Sequence, residues 1–520
     1  MKMSPDPDAV DETRWDVVIV GGGSAGAVLA ARLSEDADRS VLLLEAGPDW
    51  RAPDLPPELR HPYRQFAWVV SSVPLDYQWP EQRAVRVAGR DPELYLRGRG
   101  LGGTSSINGC IALRPPAAEF DDWAATGCTG WTWADVEPAF RKQEADALGG
   151  PGHGDTGPIP IVRSDARAWG GADRLLATAA ERAGHPWVDD LNIGDGIGVG
   201  RTPVNLAAGA RVTTNDAYLE PARARSNLRI VGGALVDRVR LDGRRATGVR
   251  VRLEGRWTDV EAQLVVLSAG ALGSPGILQR SGIGPMDTLA AAGVAPIVDL
   301  PVGAGLQDHP GWEVTAALAE DVETPPGPRG NVLLRFDSGL AGRGDLMISS
   351  FNAAGPESPH SLLLKLGQAF SRGTARIVSA DPDEPMAVDE ALLSDPRDLT
   401  RARLLFRVAR SWLADGERDG TVTAVGPDLP AADAEDADVD AWLLARVRDT
   451  GHVTATCPMG LADDARAVVD PRGRVHGFAS LVVADASVMP TVARANTNLT
   501  TIMIAERIAE LIRADALAQP

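Results

Sequence analysis

Cysteine is scarce in this sequence, which limits its redox and metal chemistry. Only Cys110, Cys128 and Cys457 occur among 520 residues. An odd number without regular spacing suits neither a disulfide framework nor a zinc site. We therefore expect a reduced compartment and no bound metal.

Long apolar runs are also missing. Nowhere do about 18 apolar residues follow one another, so no membrane span is expected. The N-terminal segment, MKMSPDPDAVDETRW, has no apolar core of the kind that a signal peptide needs. Both absences predict a soluble, cytoplasmic protein.

Positive charge is in short supply as well. The formal net charge is −19, and the lysines are Lys2, Lys142 and Lys365. A field of that sign repels phosphate backbones and anionic membrane surfaces, so we expect no nucleic acid partner. Anionic substrates are mildly disfavoured for the same reason.

The N-terminal region has the pattern of a βαβ unit. From Asp16 the chain reads DVVIV, then GGGSAG, then an apolar-periodic AVLAARL, then SVLLLEAG. These segments predict a buried strand, a tight turn, a helix and a second strand. More strands are expected in the stretch from Asn227 and in LVVLSAG from Leu264. The pattern predicts an α/β fold with a Rossmann-like domain.

The turn of this unit has the glycine spacing of a dinucleotide site. Gly21, Gly23 and Gly26 form G-x-G-x-x-G directly after the strand, and Glu45 ends the next strand. The glycines allow a tight turn, close approach to a pyrophosphate, and close helix packing. Glu45 is expected to accept hydrogen bonds from a ribose hydroxyl, which favours FAD or NAD over a 2′-phosphorylated cofactor.

Several segments together resemble the glucose–methanol–choline (GMC) family of FAD-dependent oxidoreductases. They are the N-terminal unit, GRGLGGTSSINGCIALRPPAAEFDDW from Gly98, GALGSPGILQRSGIGP from Gly270, and the C-terminal run from Val468 to Ile512. Within the family the likeness is nearest to bacterial alcohol oxidases, hydroxymethylfurfural oxidases among them. The resemblance implies FAD, a small-molecule alcohol substrate, and oxygen or a redox carrier as electron acceptor.

The resemblance also implies two domains. Residues 1–155, 211–310 and 455–520 are expected to form the Rossmann-like FAD-binding domain. Residues 156–210 and 311–454 are expected to form a substrate-binding domain built on an antiparallel sheet with helices. The Gly/Pro-rich segments GGPGHGDTGPIP, from Gly149, and ETPPGPRG, from Glu323, suggest excursions between them.

The family pattern assigns the cofactor contacts residue by residue. It places the run from Leu101 to Ile111 along the flavin, with Asn108 near the isoalloxazine ring, and Val236 at the adenine. In members with covalent flavin a His stands where this chain has Ile107, so noncovalent FAD is expected. The full predicted cofactor set is Gly21, Gly23, Ser24, Ala25, Gly26, Glu45, Ala46, Gly102, Gly103, Thr104, Asn108, Gly109, Cys110, Ile111, Val236, Ala269, Asp485, Ala486, Asn496 and Thr497.

The search for a general base is short because the chain has seven histidines. The segment GHVTATCPMG resembles the family's catalytic box, in which the His corresponding to His452 takes the hydroxyl proton. Two residues depart from that box, Ala455 in place of Gly and Pro458 in place of a residue that is often Arg. By the same resemblance His309 is expected to be structural, and Cys457 is interpreted as a packing residue.

The second predicted catalytic residue is Asn496. The family carries a His or Asn eleven residues before the basic residue of the last helix, here Arg507. An Asn amide can donate to the alkoxide oxygen. Apolar periodicity predicts that this helix starts near Thr501, which leaves Asn496 and Thr497 just before its positive end.

The predicted substrate pocket contains Gly451, His452 and Asn496. The nearest relatives have a large aromatic residue at the position of Gly451, so we expect a bulky or secondary alcohol or a glycoside hydroxyl. The alternatives are a neighbouring loop that fills the gap, or a small aromatic or furan primary alcohol. Choline is not expected, because choline-oxidising relatives have a Glu where this chain has Gly311.

Two other classes of function stay open at this point. Hydroxynitrile lyases and fatty-acid photodecarboxylases share the family's fold, and neither ends its reaction with a reduced flavin. A noncatalytic flavoprotein that transfers electrons or binds a partner is the other alternative. It would have no need for His452.

Overall fold

The computed structural model describes residues 14–61, 75–319, 329–353 and 359–517. The N-terminal segment that lacks a signal-peptide core, apart from its last two residues, and most of the Gly/Pro-rich segment from Glu323 lie outside these ranges. Within them, no helix is both long enough and apolar enough to cross a membrane.

Eleven α-helices lie in the described ranges. They are α1 (Ser24–Leu33), α2 (Pro57–Arg60), α3 (Ala117–Ala125), α4 (Trp133–Gln143), α5 (Gly171–Arg182), α6 (Glu220–Ala222), α7 (Gly270–Arg280), α8 (Met286–Ala291), α9 (Pro396–Asp419), α10 (Asp436–Arg446) and α11 (Thr497–Leu517).

The same ranges contain 23 strands. They are β1 (Trp15–Val20), β2 (Val41–Leu44), β3 (Arg83–Val85), β4 (Glu93–Leu94), β5 (Glu144–Asp146), β6 (Ile159–Ile161), β7 (Trp187–Val188), β8 (Gly198–Arg201), β9 (Leu206–Ala207), β10 (Ala210–Arg211), β11 (Leu228–Val231), β12 (Leu235–Asp242), β13 (Arg245–Leu253), β14 (Arg256–Leu267), β15 (Ala304–Leu306), β16 (Gly311–Leu318), β17 (Val332–Phe336), β18 (Leu346–Phe351), β19 (His360–Leu366), β20 (Gly373–Arg376), β21 (Ala387–Asp389), β22 (Val422–Val425) and β23 (Leu481–Val483).

The first large sheet carries the predicted nucleotide turn. Its order is β11-β2-β1-β14-β13-β12, with β23 paired to the end of β14. Around β1 the pairing is parallel, with Val18 opposite Leu42 and Val265. The strands there are buried runs of Val, Ile and Leu, as expected where helices cover both faces of a parallel sheet. The turn after β1 therefore lies at the carboxyl edge, where open α/β sheets bind ligands.

Helix α11 packs against α1 and starts earlier than periodicity predicts. Its first residue is Thr497, so the expected start near Thr501 was wrong by four residues. The first turn, TNLT, is polar and has no apolar period. Tertiary contacts hold it in the helix instead, because Asn498 Oδ1 accepts a 2.8 Å hydrogen bond from Ser24 Oγ. Asn496 thus stands directly before the first helical residue.

The second large sheet is almost entirely antiparallel. Its order is β22-β16-β19-β18-β17-β8-β7, and only β7 and β8 run parallel. Helix α9 packs against it in one buried cluster that includes Leu364, Phe406 and Leu413. Since side chains alternate along a strand, β18 and β19 present a separate set to a cavity: Ser349, Phe351, Leu363 and Lys365.

The two large sheets follow the predicted segments, and a smaller sheet joins them. Every strand of the first sheet falls within 1–155, 211–310 or 455–520, and every strand of the second within 156–210 or 311–454. The five-stranded sheet β15-β20-β21-β3-β4 takes strands from both sets. The predicted fold class is confirmed, while the domain boundaries stay a prediction.

Candidate active site

The turn after β1 leaves no room for side chains. Gly21 has φ +97°, and a Cβ on it would lie 2.6 Å from the Ser268 carbonyl oxygen. A Cβ on Gly26 would lie 1.8 Å from the Gly21 carbonyl oxygen, and one on Gly103 would lie 2.8 Å from the Gly23 Cα. The two glycine loops therefore touch through their backbones, which exposes amide groups to a ligand.

Glu45 ties three loops together at this turn. Its carboxylate accepts hydrogen bonds from the backbone N–H groups of Gly22 at 2.7 Å, Gly47 at 2.8 Å and Gly100 at 3.0 Å. A carboxylate has about four acceptor positions, so one remains for a ribose hydroxyl. The geometry is compatible with the predicted role and adds a structural one.

One cavity of about 630 Å³ reaches from this turn to the second large sheet. Gly26 and Gly102 do not line it. They allow close packing behind the cavity wall, since a Cβ on Gly102 would lie 2.5 Å from Ser106 Oγ. The other predicted cofactor and pocket residues do line it: Gly21, Gly23, Ser24, Ala25, Glu45, Ala46, Gly103, Thr104, Asn108, Gly109, Cys110, Ile111, Val236, Ala269, Gly451, His452, Asp485, Ala486, Asn496 and Thr497.

The Asp485 carboxylate is fully engaged inside the protein. It accepts from Gly270 N at 2.9 Å, Ser274 Oγ at 2.5 Å, and the N and Oγ of Ser487 at 2.8 and 2.5 Å. Four donors fill its acceptor positions. The groups left to contact a cofactor here are therefore the backbone of Asp485 and that of Ala486.

The hydrogen bonds around His452 determine its tautomer. His309 Nε2 lies 3.0 Å from the Ala493 carbonyl oxygen, which can only accept, so a neutral His309 carries its proton there. His309 Nδ1 is then an acceptor, and it lies 2.9 Å from His452 Nδ1. The proton between them belongs to His452 Nδ1, which is also 2.8 Å from Thr450 Oγ1. The free lone pair of His452 is on Nε2.

Asn496 faces that lone pair. Lys365 Nζ, which can only donate, lies 3.4 Å from Asn496 Oδ1. The amide nitrogen, Nδ2, therefore points the other way and lies 3.3 Å from His452 Nε2. A hydroxyl oxygen that lies beside both nitrogens can donate to Nε2 and accept from Nδ2.

Burial and nearby cations keep both histidines neutral. Burial lowers the pKa of His452 well below its ordinary value, and the charges of Lys365 and Arg97 act in the same direction. Burial and Lys365 likewise lower the pKa of His309. Both imidazoles are thus uncharged at neutral pH, and His452 Nε2 is available to accept a proton.

The space beside Gly451 contains an arginine. Gly451 has φ +76°, and a Cβ placed on it would meet only Arg97 Nη2, at 3.0 Å, within 4 Å. The guanidinium of Arg97 therefore lies where we expected either a larger substrate or a filling loop. The conformation also favours glycine, so a larger residue at position 451 would be strained.

Two regions of the chain match models described as GMC oxidoreductase, residues 15–311 and residues 369–505. The chain belongs to the GMC oxidoreductase family. It is 37% identical to 5-(hydroxymethyl)furfural oxidase of Methylovorus sp. (strain MP688) over 97% of this chain and 100% of that protein. It is 35% identical to oxygen-dependent choline dehydrogenase of Serratia proteamaculans (strain 568) over 96% of each.

A solved structure supports the same assignment. The crystal structure of pyridoxine 4-oxidase from Mesorbium loti superposes with a TM-score of 0.88 at 32% identity, over 96% of this chain and 99% of that one. This GMC chain is therefore an FAD-dependent oxidoreductase, and the predictions of family and cofactor are confirmed. The glycine loops that meet at Gly23 and Gly103 and the remaining acceptor of Glu45 fit that cofactor.

Two residues of the GMC box need explanation: Ala455, which departs from the family pattern, and Cys457, which carries a thiol. Ala455 has φ +60°, a left-handed conformation in which glycine is more common. Cys457 is buried, and burial with the nearby Asp485 raises the pKa of its thiol well above the ordinary value. A protonated, buried thiol is a poor nucleophile.

Sequence reasoning missed four residues of this GMC site. We expected His309 to be structural, and Thr450, Lys365 and Arg97 were assigned no role. Their separation along the chain explains the omission, because they come from four distant segments. The available signals were the scarcity of lysine and the position of Lys365 within the apolar run LLLKL.

Proposed function

We propose that this protein oxidises an alcohol, with His452 Nε2 as the base that takes the hydroxyl proton. The observation that carries the proposal is the 3.3 Å approach of Asn496 Nδ2 to His452 Nε2 at the cavity wall. A hydroxyl bound there meets an acceptor for its proton and a donor for its oxygen. FAD, when bound, accepts the hydride from the carbinol carbon.

His309 and Thr450 prepare His452 for this step. As Nε2 takes the proton, the Nδ1–H of the resulting imidazolium donates to His309 Nδ1 and Thr450 Oγ1, at 2.9 and 2.8 Å. Hydrogen bonds to a charged group are the stronger ones. His309, held by the Ala493 carbonyl, also keeps the imidazole ring from turning.

For the substrate we keep the class predicted from the sequence, which is a bulky or secondary alcohol or a glycoside hydroxyl. A small furan or aromatic primary alcohol is the second candidate, favoured by the 37% identity to 5-(hydroxymethyl)furfural oxidase. Choline is disfavoured, because Arg97 lines the cavity beside Gly451 and Gly311 brings no carboxylate there. The electron acceptor is oxygen or a redox carrier.

We also propose that FAD is bound without a covalent link. Ile107 lines the cavity at the position where covalent relatives have His, and an aliphatic side chain cannot form that bond. Acid precipitation should release the flavin into the supernatant. Flavin that stays with the precipitated protein would contradict this.

The test of the reaction is flavin reduction under anaerobic conditions. We expect small primary alcohols, bulky secondary alcohols, or both to bleach the flavin, and millimolar choline to leave it oxidised. Comparing the two alcohol classes decides between the two substrate candidates. If no alcohol reduces the flavin, a lyase, decarboxylase or noncatalytic function replaces this proposal.

A further inference from the structure

Lys365 is a buried cation with little inside the protein to balance it. It is 4% exposed and points from β19 into the cavity. Its one hydrogen bond among the described residues is the 3.4 Å contact with Asn496 Oδ1. An ammonium has three donors, so two of them face the cavity without a protein acceptor. Burial and the charge of Arg335 lower its pKa to about 7, so the ammonium form predominates below that pH or when a bound anion stabilises it.

Arg97 is a second such cation on the same cavity. Its guanidinium lies over the Tyr95 ring at 4.7 Å and beside Gly451, and its Nη groups have no acceptor among the described residues. Lys365 and Arg97 both act on the pKa of His452, so both lie within electrostatic reach of the reacting hydroxyl. We call these two residues the cationic pair, because each places a positive charge on the cavity wall near His452.

No carboxylate among the described residues forms a direct ion pair with Lys365 or Arg97, although Asp308 acts on both from a longer distance. Asp308 accepts from Tyr95 Oη and its own neighbour His309 N, each at 2.7 Å. Asp449 binds Arg86 at 2.8 Å. Within the described part of the chain, no carboxylate oxygen lies within 4.0 Å of Lys365 or Arg97. The cationic pair is therefore available to an anion from outside the protein.

We propose that the alcohol substrate carries a carboxylate, which the cationic pair of Lys365 and Arg97 binds beside His452. This inference rests on the proposed function. The net charge of −19 predicts repulsion of anions, whereas the local field of the cavity attracts them. The sheet face of Phe351 and Leu363 next to Lys365 offers an apolar surface for the rest of the molecule.

The carboxylate would also help the reaction. The O–H bond breaks and its proton goes to His452 Nε2, the C–H bond breaks and its hydride goes to FAD, and a carbonyl forms. The cations that disfavour a charged His452 are offset by the bound carboxylate, which makes the base stronger once the substrate is in place. The carboxylate itself is unchanged.

The experiment measures binding of a non-oxidisable anion to the FAD-loaded protein. Benzoate and its neutral isostere benzamide are titrated while the visible absorbance of the flavin is followed. We expect benzoate to bind at least about tenfold more tightly than benzamide, a difference of about 1.4 kcal/mol. Lys365→Met should abolish the preference, and Arg97→Gln should reduce it severalfold. Lys365→Arg should retain it.

Arg448→Gln is the matched control. Arg448 lines the same cavity but is exposed. Its replacement by Gln therefore removes one positive charge that does not lie beside His452. The preference for benzoate should survive in this variant. Equal affinity for both ligands in the parent, or an equal loss in Arg448→Gln and Arg97→Gln, would overturn the proposal. Flavin content measured for each variant identifies any that fail to fold.

The outcome is separable from that of the proposed function. If alcohols bleach the flavin but the protein does not prefer benzoate over benzamide, the substrate does not need a carboxylate, and the proposal of alcohol oxidation is unaffected. A benzoate preference without reduction by any alcohol would support the anion site and refute alcohol oxidation.

Discussion

His153 and His452 each follow a glycine, and each has hydrogen-bonding partners at both ring nitrogens, but His153 is charged and His452 is neutral. His153 Nδ1 lies 2.9 Å from Glu144 and its Nε2 lies 2.5 Å from Asp190. These bonds raise the pKa of His153 to about 9. His452 instead faces another imidazole, a hydroxyl and an amide, and burial among cations lowers its pKa.

The difference shows that the partners of a buried histidine decide what it can do. His153 is an imidazolium at neutral pH, and Arg163 completes its network by binding Asp146 at 2.6 Å and Asp190 at 2.7 Å. With all its protons engaged, it holds strands β5 and β6 and the nearby loops together. His452 keeps a lone pair and can act as a base.

His452→Ala should give the largest effect on catalysis. We expect the rate of anaerobic flavin reduction to fall at least about a hundredfold, the usual effect of losing a general base. Bound FAD and the unfolding temperature should change little. The measurement is stopped-flow flavin reduction. A rate near that of the parent would mean that His452 is not the base.

His153→Ala should lower the stability of the protein and leave the rate of flavin reduction unchanged. Removing one partner from a buried ion network costs about 3 to 5 kcal/mol of stability, because the remaining charges lose their compensation. Flavin reduction per folded molecule should match the parent. Thermal unfolding measures the loss of stability, and stopped-flow absorbance measures the rate of flavin reduction.

His185→Ala is the control for His153→Ala. His185 packs against Phe336 and Trp412 at ring-centroid distances of 5.1 and 6.1 Å and has no carboxylate partner among the described residues. Its loss should destabilise the protein less. Equal destabilisation by the two variants would show that the carboxylate network around His153 adds nothing.

Asn496→Ala should slow flavin reduction less than His452→Ala. The substrate oxygen loses one donor, which costs on the order of tenfold to a hundredfold. Flavin content should stay at the parent level. A rate unchanged in this variant would remove Asn496 from the catalytic site.

His309→Leu tests whether a histidine that binds no substrate still matters. The Nδ1–H of His452 loses its imidazole acceptor, so we expect the limiting rate of flavin reduction to fall about tenfold, with alcohol affinity unchanged. His309→Gln, which keeps an acceptor, should recover part of the rate. A loss of affinity without a loss of limiting rate would point to a purely structural role.

The pH dependence of stability tests the charged state of His153 without a change at the candidate active site. Because folding raises the pKa of His153 from about 6.5 to about 9, its contribution is complete below pH 6.5 and is lost as pH rises to 9. The unfolding temperature of the parent should therefore decline over that window more steeply than that of His153→Ala. Parallel curves for the two proteins would refute the charged state of His153.

The first sheet and its turn were predictable because their signals are local. Gly21, Gly23 and Gly26 directly follow an apolar strand, and steric limits at each glycine act over a few residues. The start of α11 was placed four residues late, because the turn TNLT is held in the helix by Ser24, far away in the chain. Local periodicity contains no information on such a contact.

The candidate site was predictable where a motif names it and unpredictable where packing builds it. His452 and Asn496 came from their resemblance to family motifs. The local sequences do not show which histidine is a structural imidazolium and which is a neutral base. They are GHGDTG around His153 and GHVTA around His452. That distinction needs the carboxylates and cations that surround each ring.

By itself, the sequence determined the α/β class, the glycine turn, the family and the identity of the candidate base. The class and the turn follow from side-chain size and apolar period over short stretches, whereas the family and the base follow from resemblance to family motifs. The tertiary structure decided which nitrogen of His452 is free, which way Asn496 points, and that Lys365 and Arg97 lie beside them. Charge state and hydrogen-bond direction depend on groups within a few ångströms, and folding brings those together from distant segments.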